Sequence, residues 1–205
     1  MPIKSYNELK FFLMADYMMN RGKFEPSIID RVTHIFFPDY IISYLVAMRK
    51  SSYYKNGGGI FHKLKYVWYY RKYKMLGIKL GFSIGYDVFG YGLVIPHYGT
   101  IVVGNSNRIG NYSVLHTSTC ISNNGKIIGN CLYCSTGVKM TSPIKLGDNV
   151  SVGANSLVNE SFESGNVLIG GVPAKNIKEM KEWYSGSVHE LRVNQIEQKR
   201  KEYEL

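Results

Sequence analysis

The stretch from Ile128 to Val158 carries an apolar residue at every sixth position, and a small or turn-forming residue follows each of them. The apolar anchors are Ile128, Cys134, Met140, Leu146, Val152 and Val158. An amphipathic helix would repeat its apolar residues every three to four positions and an ordinary strand every two, so neither explains a period of six. This period predicts a parallel β-helix, in which every short strand sends one side chain into the core.

The same spacing continues, less regularly, on the N-terminal side of this stretch. The further anchors are Phe89, Ile95, Ile101, Val103, Ile109, Leu115 and Ile121. The register slips by two positions between Ile101 and Val103, and by one position before Ile128. We interpret both slips as insertions at corners of the β-helix. Because three hexads complete one coil, residues 77–175 provide about five coils.

Segments without the repeat flank this domain on both sides. Residues 1–76 are predicted to form a helical segment. Residues 176–205 return to a charged pattern, with helices expected over 178–183 and 189–204. A polar terminal element of this kind is what the exposed end of a solenoid requires. The sequence therefore predicts a mainly β protein, with a β-helix over 77–175, an N-terminal helical segment and a C-terminal helical extension.

The formal net charge of +10 favours anionic partners. Part of this charge lies in the stretch 61–75, where lysines and arginines alternate with aromatic residues. Single-stranded nucleic acid or an anionic membrane surface would suit such a stretch. We favour a third interpretation, in which a helix packs its aromatics on the β-helix and leaves its lysines in water. No nucleic-acid module accompanies the stretch, so we expect no nucleic-acid partner; peripheral membrane contact stays open.

Several features of the chain indicate a cytoplasmic protein. The N-terminus lacks the pattern of a signal peptide, and the longest apolar runs near it are too short to span a bilayer. An odd count of three cysteines argues against a disulfide framework. Cys131 and Cys134 have CxxC spacing, but Cys134 is also a core anchor, so we favour packing over a zinc or redox role. A position at the inner face of the membrane is the open alternative.

His97 and His116 are the only histidines within the predicted β-helix. They are nineteen positions apart, which is one coil plus one residue. This spacing places them on adjacent layers near the same edge, and adjacent strands lie about 4.8 Å apart. Histidine is the usual general base at neutral pH, so the pair predicts a catalytic site.

The residues around His97 carry a family resemblance. The run IPHYGT at residues 95–100 is followed much later by the run GGVPAK at residues 170–175. Over residues 77–178 the chain resembles the serine acetyltransferase family of left-handed β-helix acyltransferases. It is most similar to the short members found among surface-polysaccharide genes. The resemblance implies an acetyl-CoA-dependent O-acetyltransferase in which His97 takes the proton from an acceptor hydroxyl. His116 would orient the substrate or donate a hydrogen bond to the nascent oxyanion.

The resemblance also implies where acetyl-CoA would bind. The residues that match the family's pantetheine-contacting positions are Thr136, Gly137, Gly153 and Ala154, and the lysines expected near the CoA phosphates are Lys175 and Lys178. We expect no metal. The family assembles as trimers with active sites between subunits, so the resemblance implies a homotrimer.

Three departures from the serine enzymes bear on the acceptor. Their aspartate before the reactive histidine is Pro96 here, and their acidic residue one coil earlier falls at Phe82, with Ser83 and Asp87 nearby. Their glycine-rich loop is replaced by residues 122–126. These departures favour a sugar hydroxyl of a surface polysaccharide or its precursor as the acceptor, with L-serine as the alternative.

Two other functions are disfavoured by the sequence. A zinc lyase of the γ-carbonic anhydrase type shares the fold but needs three histidine ligands, and the coils hold only two histidines. A non-catalytic scaffold or binding module would leave the histidine pair without a role.

Overall fold

The computed structural model describes residues 1–203 and divides them into an N-terminal group of helices, a β-solenoid and a C-terminal helix. The helices are α1 (Tyr6–Arg21), α2 (Ile28–Phe36), α3 (Tyr40–Asn56), α4 (Gly59–Leu80) and α5 (Val188–Glu202). Helix α1 begins at the capping box formed by Ser5 and Glu8. The N-terminal helical segment extends four residues beyond the predicted boundary at 76, because α4 continues through Gly77 to Leu80. Glu204, the end of the predicted C-terminal helix, lies outside the described residues.

The solenoid is a triangular prism built from three sheets of short strands. The strands are β1 (Phe82–Ile84), β2 (Ile101–Val103), β3 (Arg108–Ile109), β4 (Val114–Leu115), β5 (Thr119–Ile121), β6 (Ile127–Ile128), β7 (Tyr133–Cys134), β8 (Lys139–Met140), β9 (Lys145–Leu146), β10 (Val150–Val152), β11 (Leu157–Val158), β12 (Val167–Gly171) and β13 (Ala174–Glu179). The first sheet has the order β1-β2-β5-β8-β11, the second β4-β7-β10-β12-β13 and the third β3-β6-β9. All pairs are parallel except β12 with β13. The predicted β-solenoid of about five turns is confirmed.

The six-residue anchors form the core of the prism. Every anchor from Ile128 to Val158 is buried, with at most 4% of its surface exposed. Cys134 is one of them and is a free thiol whose pKa is raised by burial. Each turn stacks its anchors on those of the next turn, for example Leu115 on Cys134 and Cys134 on Val152. The repeat therefore specifies the core residue by residue.

The insertion of two residues occurs at a corner, as predicted, but it precedes Ile101 and does not fall between Ile101 and Val103. Ile101 and Val103 both lie in β2 and both are buried, so no insertion separates them. The buried residues Ile95 and Val103 are eight positions apart, whereas Leu115 and Ile121, which stack on them, are six apart. The extra residues therefore enlarge the corner between Ile95 and Ile101, which contains His97.

The C-terminal region differs from the prediction. Residues 178–183 are not helical, since β13 turns back along β12 in an antiparallel pair. Gly171 pairs with Ala174, so Val172 and Pro173 form a two-residue turn with a cis peptide bond between them. Strand β13 covers the last strand of the second sheet, which would otherwise expose an unpaired edge.

Helix α5 does not close the end of the solenoid as expected. It returns along the second sheet to the first turns and to α1, where the Arg192 side chain donates a hydrogen bond to the carbonyl oxygen of Met19 (2.7 Å). The Glu197 carboxylate accepts hydrogen bonds from the hydroxyl groups of Tyr91 (2.8 Å) and Tyr112 (2.6 Å). The two ends of the chain are therefore packed together beside the early turns.

The predicted basic and aromatic stretch forms most of α4. The tyrosines turn toward the protein, with Tyr73 buried and Tyr69 half-buried. Tyr73 contacts the solenoid as predicted, since its hydroxyl donates to the carbonyl oxygen of Ile84, whereas Tyr69 stacks on a tyrosine of α3. Phe61 and Trp68 contradict the favoured interpretation, because they remain 75% and 58% exposed. Within residues 1–203, no helix is both long enough and apolar enough to cross a membrane.

A buried ion pair joins the helices to the first turn of the solenoid. The Arg49 guanidinium on α3 donates to the Asp16 carboxylate on α1 (2.8 Å) and to the carbonyl oxygen of Phe89 (2.9 Å). Asp16 in turn accepts a hydrogen bond from the backbone N–H of Leu93 (3.0 Å). Both ionic side chains are almost completely buried. Since every contact is long-range, sequence spacing gives no sign of this connection.

We expect Arg49→Met to lower the free energy of unfolding by about 3–5 kcal/mol, because it leaves the Asp16 carboxylate buried without a partner. Arg71→Met is the matched control, since Arg71 is exposed on α4; it should change stability by less than about 0.5 kcal/mol. Urea denaturation followed by circular dichroism measures both. Equal stability of the two variants would contradict the structural role of the ion pair.

Candidate active site

His97 lies exposed on the enlarged corner, and helix α1 fixes the strand that leads into it. The Asn20 side chain donates a hydrogen bond to the carbonyl oxygen of Leu93 (2.8 Å) and accepts one from the N–H of Ile95 (3.3 Å). Asn20 thus replaces the neighbouring strand that the first turn lacks at this point.

The end of α4 fixes the other side of the same corner. The N–H of Gly99 donates to the carbonyl oxygen of Leu80 (2.9 Å), and that of Ile101 donates to Gly81 (3.0 Å). Gly81 ends α4 in the left-handed conformation (φ 79°), and a Cβ at this position would lie 3.0 Å from the Gly99 backbone. A glycine is therefore required where the helix meets the His97 corner.

His116 lies on the next turn, beside His97, as the spacing predicts. The two imidazole ring centres are 6.4 Å apart. The backbone of His116 is held on both sides, since its N–H donates to Cys134 (3.1 Å) and its carbonyl oxygen accepts from the Thr119 hydroxyl (2.7 Å). The position of His116 is therefore set by the regular part of the solenoid, and that of His97 by the helices.

Tyr133 on β7 contacts His116 from the following turn. Its hydroxyl lies 3.0 Å from Nε2 of His116, within hydrogen-bonding distance. Partial burial, and secondarily the neighbouring His97, lower the pKa of His116. His116 is thus held in its neutral form at neutral pH, with one ring nitrogen bonded to the tyrosine. In the sequence Tyr133 looks like an ordinary strand residue, and nothing there indicates its contact with His116.

The segment between β13 and α5 forms a wall beside Tyr133. The Trp183 indole N–H donates to the carbonyl oxygen of Tyr112 (2.8 Å), and its ring centre is 6.1 Å from that of Tyr133. The His189 ring lies 5.2 Å from Trp183 on the far side, and burial and then Arg192 lower its pKa. In the sequence, only the two aromatic residues at 183–184 could have indicated this wall, and they lie outside the six-residue repeat.

The four residues predicted to contact pantetheine lie on the same edge of the prism as the histidines. Cys134, the last residue of β7, stacks on Val152, the last residue of β10. The residues after these two strands therefore share one corner: Thr136 and Gly137 after β7, and Gly153 and Ala154 after β10. The Thr136 hydroxyl is 3.1 Å from the Thr117 hydroxyl, which belongs to the layer of His116. The edge therefore continues from the histidine pair through two further turns.

Much of the backbone at this edge is already bonded within the solenoid. The N–H of Gly137 donates to Thr117 (3.0 Å) and that of Gly153 to Ile169 (2.8 Å). A ligand at this edge would consequently contact these two glycines through van der Waals packing or their carbonyl oxygens. Ala154 is exposed at the corner itself.

The two predicted phosphate-binding lysines occupy different positions. Lys175 pairs with Gly170 at the end of β12, on the same edge as Gly153. Its Nζ lies 3.2 Å from the Glu160 carboxylate in an exposed ion pair, which is weak enough to be exchanged for another anion. Lys178 pairs with Leu168, farther from the edge. The structure thus brings Lys175, and not Lys178, to the edge that carries the histidines.

The positions that would hold acidic residues in serine enzymes carry none here. Pro96 is exposed and Phe82 is buried in the core. Asp87, the nearby candidate, instead accepts a hydrogen bond from the Ser52 hydroxyl on α3. The ring of His116 is hydrogen-bonded to Tyr133 and not to a carboxylate. In the described part of the chain, no group of three or more His, Cys, Asp or Glu side chains is arranged to hold a metal.

A large cavity lies elsewhere in the part of the chain that the structure describes. It has a volume of about 770 Å³ and opens between α1, α2 and α3, with Lys72 of α4 at its border. Neither His97 nor His116 lines it. His97 is exposed to solvent and His116 is half-buried.

No protein-family model matches this chain. Among curated proteins it is similar to a serine acetyltransferase of Helicobacter pylori strain J99, with 30% identity over 95 residues, 43% of this chain and 55% of that protein. It is also similar to the bifunctional protein GlmU of Mycobacterium ulcerans, with 26% identity over 96 residues, 45% of this chain and 20% of that protein. The solved soybean serine acetyltransferase apoenzyme has a TM-score of 0.60 at 19% identity and covers 83% of this chain and 69% of its own.

These comparisons support a serine acetyltransferase-like chain. The sequence match spans about half the length of the Helicobacter pylori relatives (52% and 55%). The match to the soybean structure shows a common fold that includes most of this chain. The chain is therefore similar to serine acetyltransferases in sequence over less than half its length, and in fold over most of it.

We expect His97→Gln to raise the pKa of His116, because it removes a neighbouring group that becomes positive on protonation. The pKa should still lie below the ordinary value near 6.5, since burial is the larger cause and remains. An NMR titration of the histidine ring protons measures this shift. His34→Gln is the control and should leave His116 unchanged, because His34 contacts Asp39 and Ser43 instead. A fall in the pKa of His116 in His97→Gln would contradict the electrostatic coupling.

Proposed function

We propose that this protein is an acetyl-CoA-dependent O-acetyltransferase with His97 as its general base. The observation that carries the proposal is the histidine pair on the enlarged corner, in a chain similar to serine acetyltransferases. His97 is exposed and His116 is half-buried, so a substrate hydroxyl can reach the first while the second remains fixed.

The reaction needs two proton transfers, one from the acceptor hydroxyl to His97 and one from His97 to the leaving thiolate. His97 accepts the proton of the acceptor hydroxyl as that oxygen attacks the thioester carbonyl carbon of acetyl-CoA. The carbonyl oxygen becomes an oxyanion, and its collapse breaks the carbon–sulfur bond. The proton on His97 then passes to the leaving thiolate, which gives CoA, the acetyl ester and a neutral imidazole. No group is oxidised or reduced.

His116 serves this reaction as a neutral donor in our proposal. Its Nε2 lies next to the Tyr133 hydroxyl. If that hydroxyl donates to Nε2, the proton of the neutral ring is on Nδ1 and is free to stabilise the developing oxyanion. The lowered pKa of His116 supports this role, because a neutral ring beside His97 does not repel the proton that His97 must accept.

For the acceptor, we propose L-serine first, because the acetyltransferase relatives are named for serine. The second candidate is a sugar hydroxyl of a surface polysaccharide or its precursor, the main prediction from the sequence. The observation in favour of the sugar is the loss of both acidic positions, now Pro96 and the buried Phe82, since a free amino acid needs a counter-charge for its ammonium group. The comparisons favour serine over the sugar.

The same edge suggests how acetyl-CoA would be held. Thr136, Gly137, Gly153 and Ala154 would contact the pantetheine arm, and Lys175 would exchange its Glu160 partner for a CoA phosphate. Lys178 would contribute only long-range attraction. We also propose a cytoplasmic homotrimer, in which a neighbouring subunit closes the open edge beside the histidines.

His97→Ala should lower acetyl transfer by about 10²–10⁴-fold, the usual contribution of a general base. The assay incubates the protein with acetyl-CoA and either L-serine or candidate sugars, and measures free CoA by chromatography. His62→Ala on α4 is the matched control and should keep full activity. Retention of full activity by His97→Ala would refute the assignment of the base. In the wild type, turnover with sugars and not with serine would reverse the proposed order of acceptors.

Lys175→Ala should raise the KM for acetyl-CoA about fivefold and leave kcat unchanged, the effect of losing one exposed charge contact of about 1 kcal/mol. Lys178→Ala should have a smaller effect because it lies farther from the edge. Steady-state kinetics at low ionic strength measure both, with Lys145→Ala on the third sheet as the control. An unchanged KM in Lys175→Ala would remove this lysine from the CoA site.

A further inference from the structure

One face of α4 is apolar and exposed along the length of the helix. Its side chains are each at least 58% exposed and recur at helical spacing: Ile60, Phe61, Leu64, Val67, Trp68, Met75 and Ile78. The opposite face packs against the protein through Tyr73, Gly77 and Leu80. An exposed apolar stripe of this length on a protein surface indicates a binding surface.

Helix α2 presents a second exposed apolar face. None of its nine residues is buried. The apolar residues that are more than half exposed in this region are Ile28, Ile29, Val32, Ile35, Phe36 and Phe37. Phe37, the residue that follows α2, and Lys72 of α4 border the same cavity.

The charge around these faces has a single sign on α3 and α4. Residues 40–86 contain nine lysines and arginines and not one aspartate or glutamate. Arg49 is buried with Asp16, which leaves eight cationic side chains in this segment beside a net charge of +10 for the whole chain. The long lysine side chains can extend their ammonium groups sideways while the apolar stripe remains exposed.

We propose that α4 binds the surface of an anionic phospholipid bilayer. The apolar stripe would enter the interface between headgroups and acyl chains, and the lysines and arginines around it would contact the lipid phosphates. The helix lies in the plane of the surface, since it is too polar to cross the bilayer. This inference does not depend on the acetyl transfer proposed above.

The charge and the aliphatic character of this face distinguish an anionic bilayer from two other partners, a second copy of the chain and single-stranded nucleic acid. A second copy of the chain placed on the same face would bring the six cationic side chains of α4 against the six of the other copy, which costs free energy. Single-stranded nucleic acid binds through stacked aromatic rings, but most of this face is aliphatic, as Leu64, Val67 and Ile78 illustrate. An anionic bilayer satisfies both the charge and the aliphatic character.

The test is sedimentation of the full chain with vesicles of phosphatidylcholine alone, and with equal parts phosphatidylcholine and phosphatidylglycerol. We expect binding to the anionic vesicles only, weakened by salt. Lys63→Ala with Arg71→Ala should weaken the partition about fivefold for each side chain removed. Leu64→Gln with Ile78→Gln should weaken it more than tenfold through lost apolar burial. These four side chains are exposed, so the variants should fold normally, which circular dichroism checks.

Ile127→Gln with Lys145→Ala is the matched control, because both residues are exposed on the third sheet. It should bind vesicles as the wild type does. On binding, the fluorescence emission of the wild type should shift to shorter wavelength, and Trp68→Phe should abolish this shift while Trp183→Phe preserves it. Three results would overturn the proposal: no binding of the wild type to anionic vesicles, equal binding by the α4 variants and the control, or an assembly in analytical ultracentrifugation that the α4 variants dissociate.

Discussion

The turn-on-turn stacking of the solenoid is the constraint on which the rest of the structure depends. Each strand inside a sheet bonds to the strand one turn earlier and to the strand one turn later, so the inward residues must stay in register. A regular strand cannot absorb extra residues without turning its side chains to the wrong face. Insertions are therefore confined to corners, and the largest displaces the chain between Ile95 and Ile101. The candidate catalytic residue His97 lies in that insertion.

An enlarged corner would be mobile unless other elements held it, and here two helices do. Asn20 from α1 bonds the strand before the corner, and the Leu80–Gly81 end of α4 bonds the residues after it. The buried pair of Asp16 on α1 and Arg49 on α3 joins the N-terminal helices to the first turn. The N-terminal helices thus position the site as well as covering the start of the solenoid. The same α4 helix turns its apolar stripe outward, which would set the active edge at a fixed height above any surface that it binds.

The sequence predicted the solenoid and its core well, because a six-residue repeat of buried anchors is local and periodic. It also placed the two histidines side by side. It could not predict that Ala174–Glu179 would pair as a strand in place of the helix expected over 178–183, since that pairing depends on the open edge of β12. The roles of Tyr133 and Trp183 could not be predicted for a related reason. Tyr133 reaches the histidine layer because successive turns stack, and Trp183 reaches Tyr133 because the chain folds back after β13. Both Lys175 and Lys178 were expected near the CoA phosphates, and the register of β13 places only Lys175 at the edge.

In the proposed function, one edge of the prism, from His97 to Gly153, holds both substrates. A crystal structure of the protein with CoA and an acceptor bound tests this most directly. We expect the acceptor hydroxyl about 3 Å from a ring nitrogen of His97, with His116 beside it and the CoA chain along Thr136 and Gly153. Both ligands bound in the cavity between α1, α2 and α3, with the histidine edge empty, would contradict it.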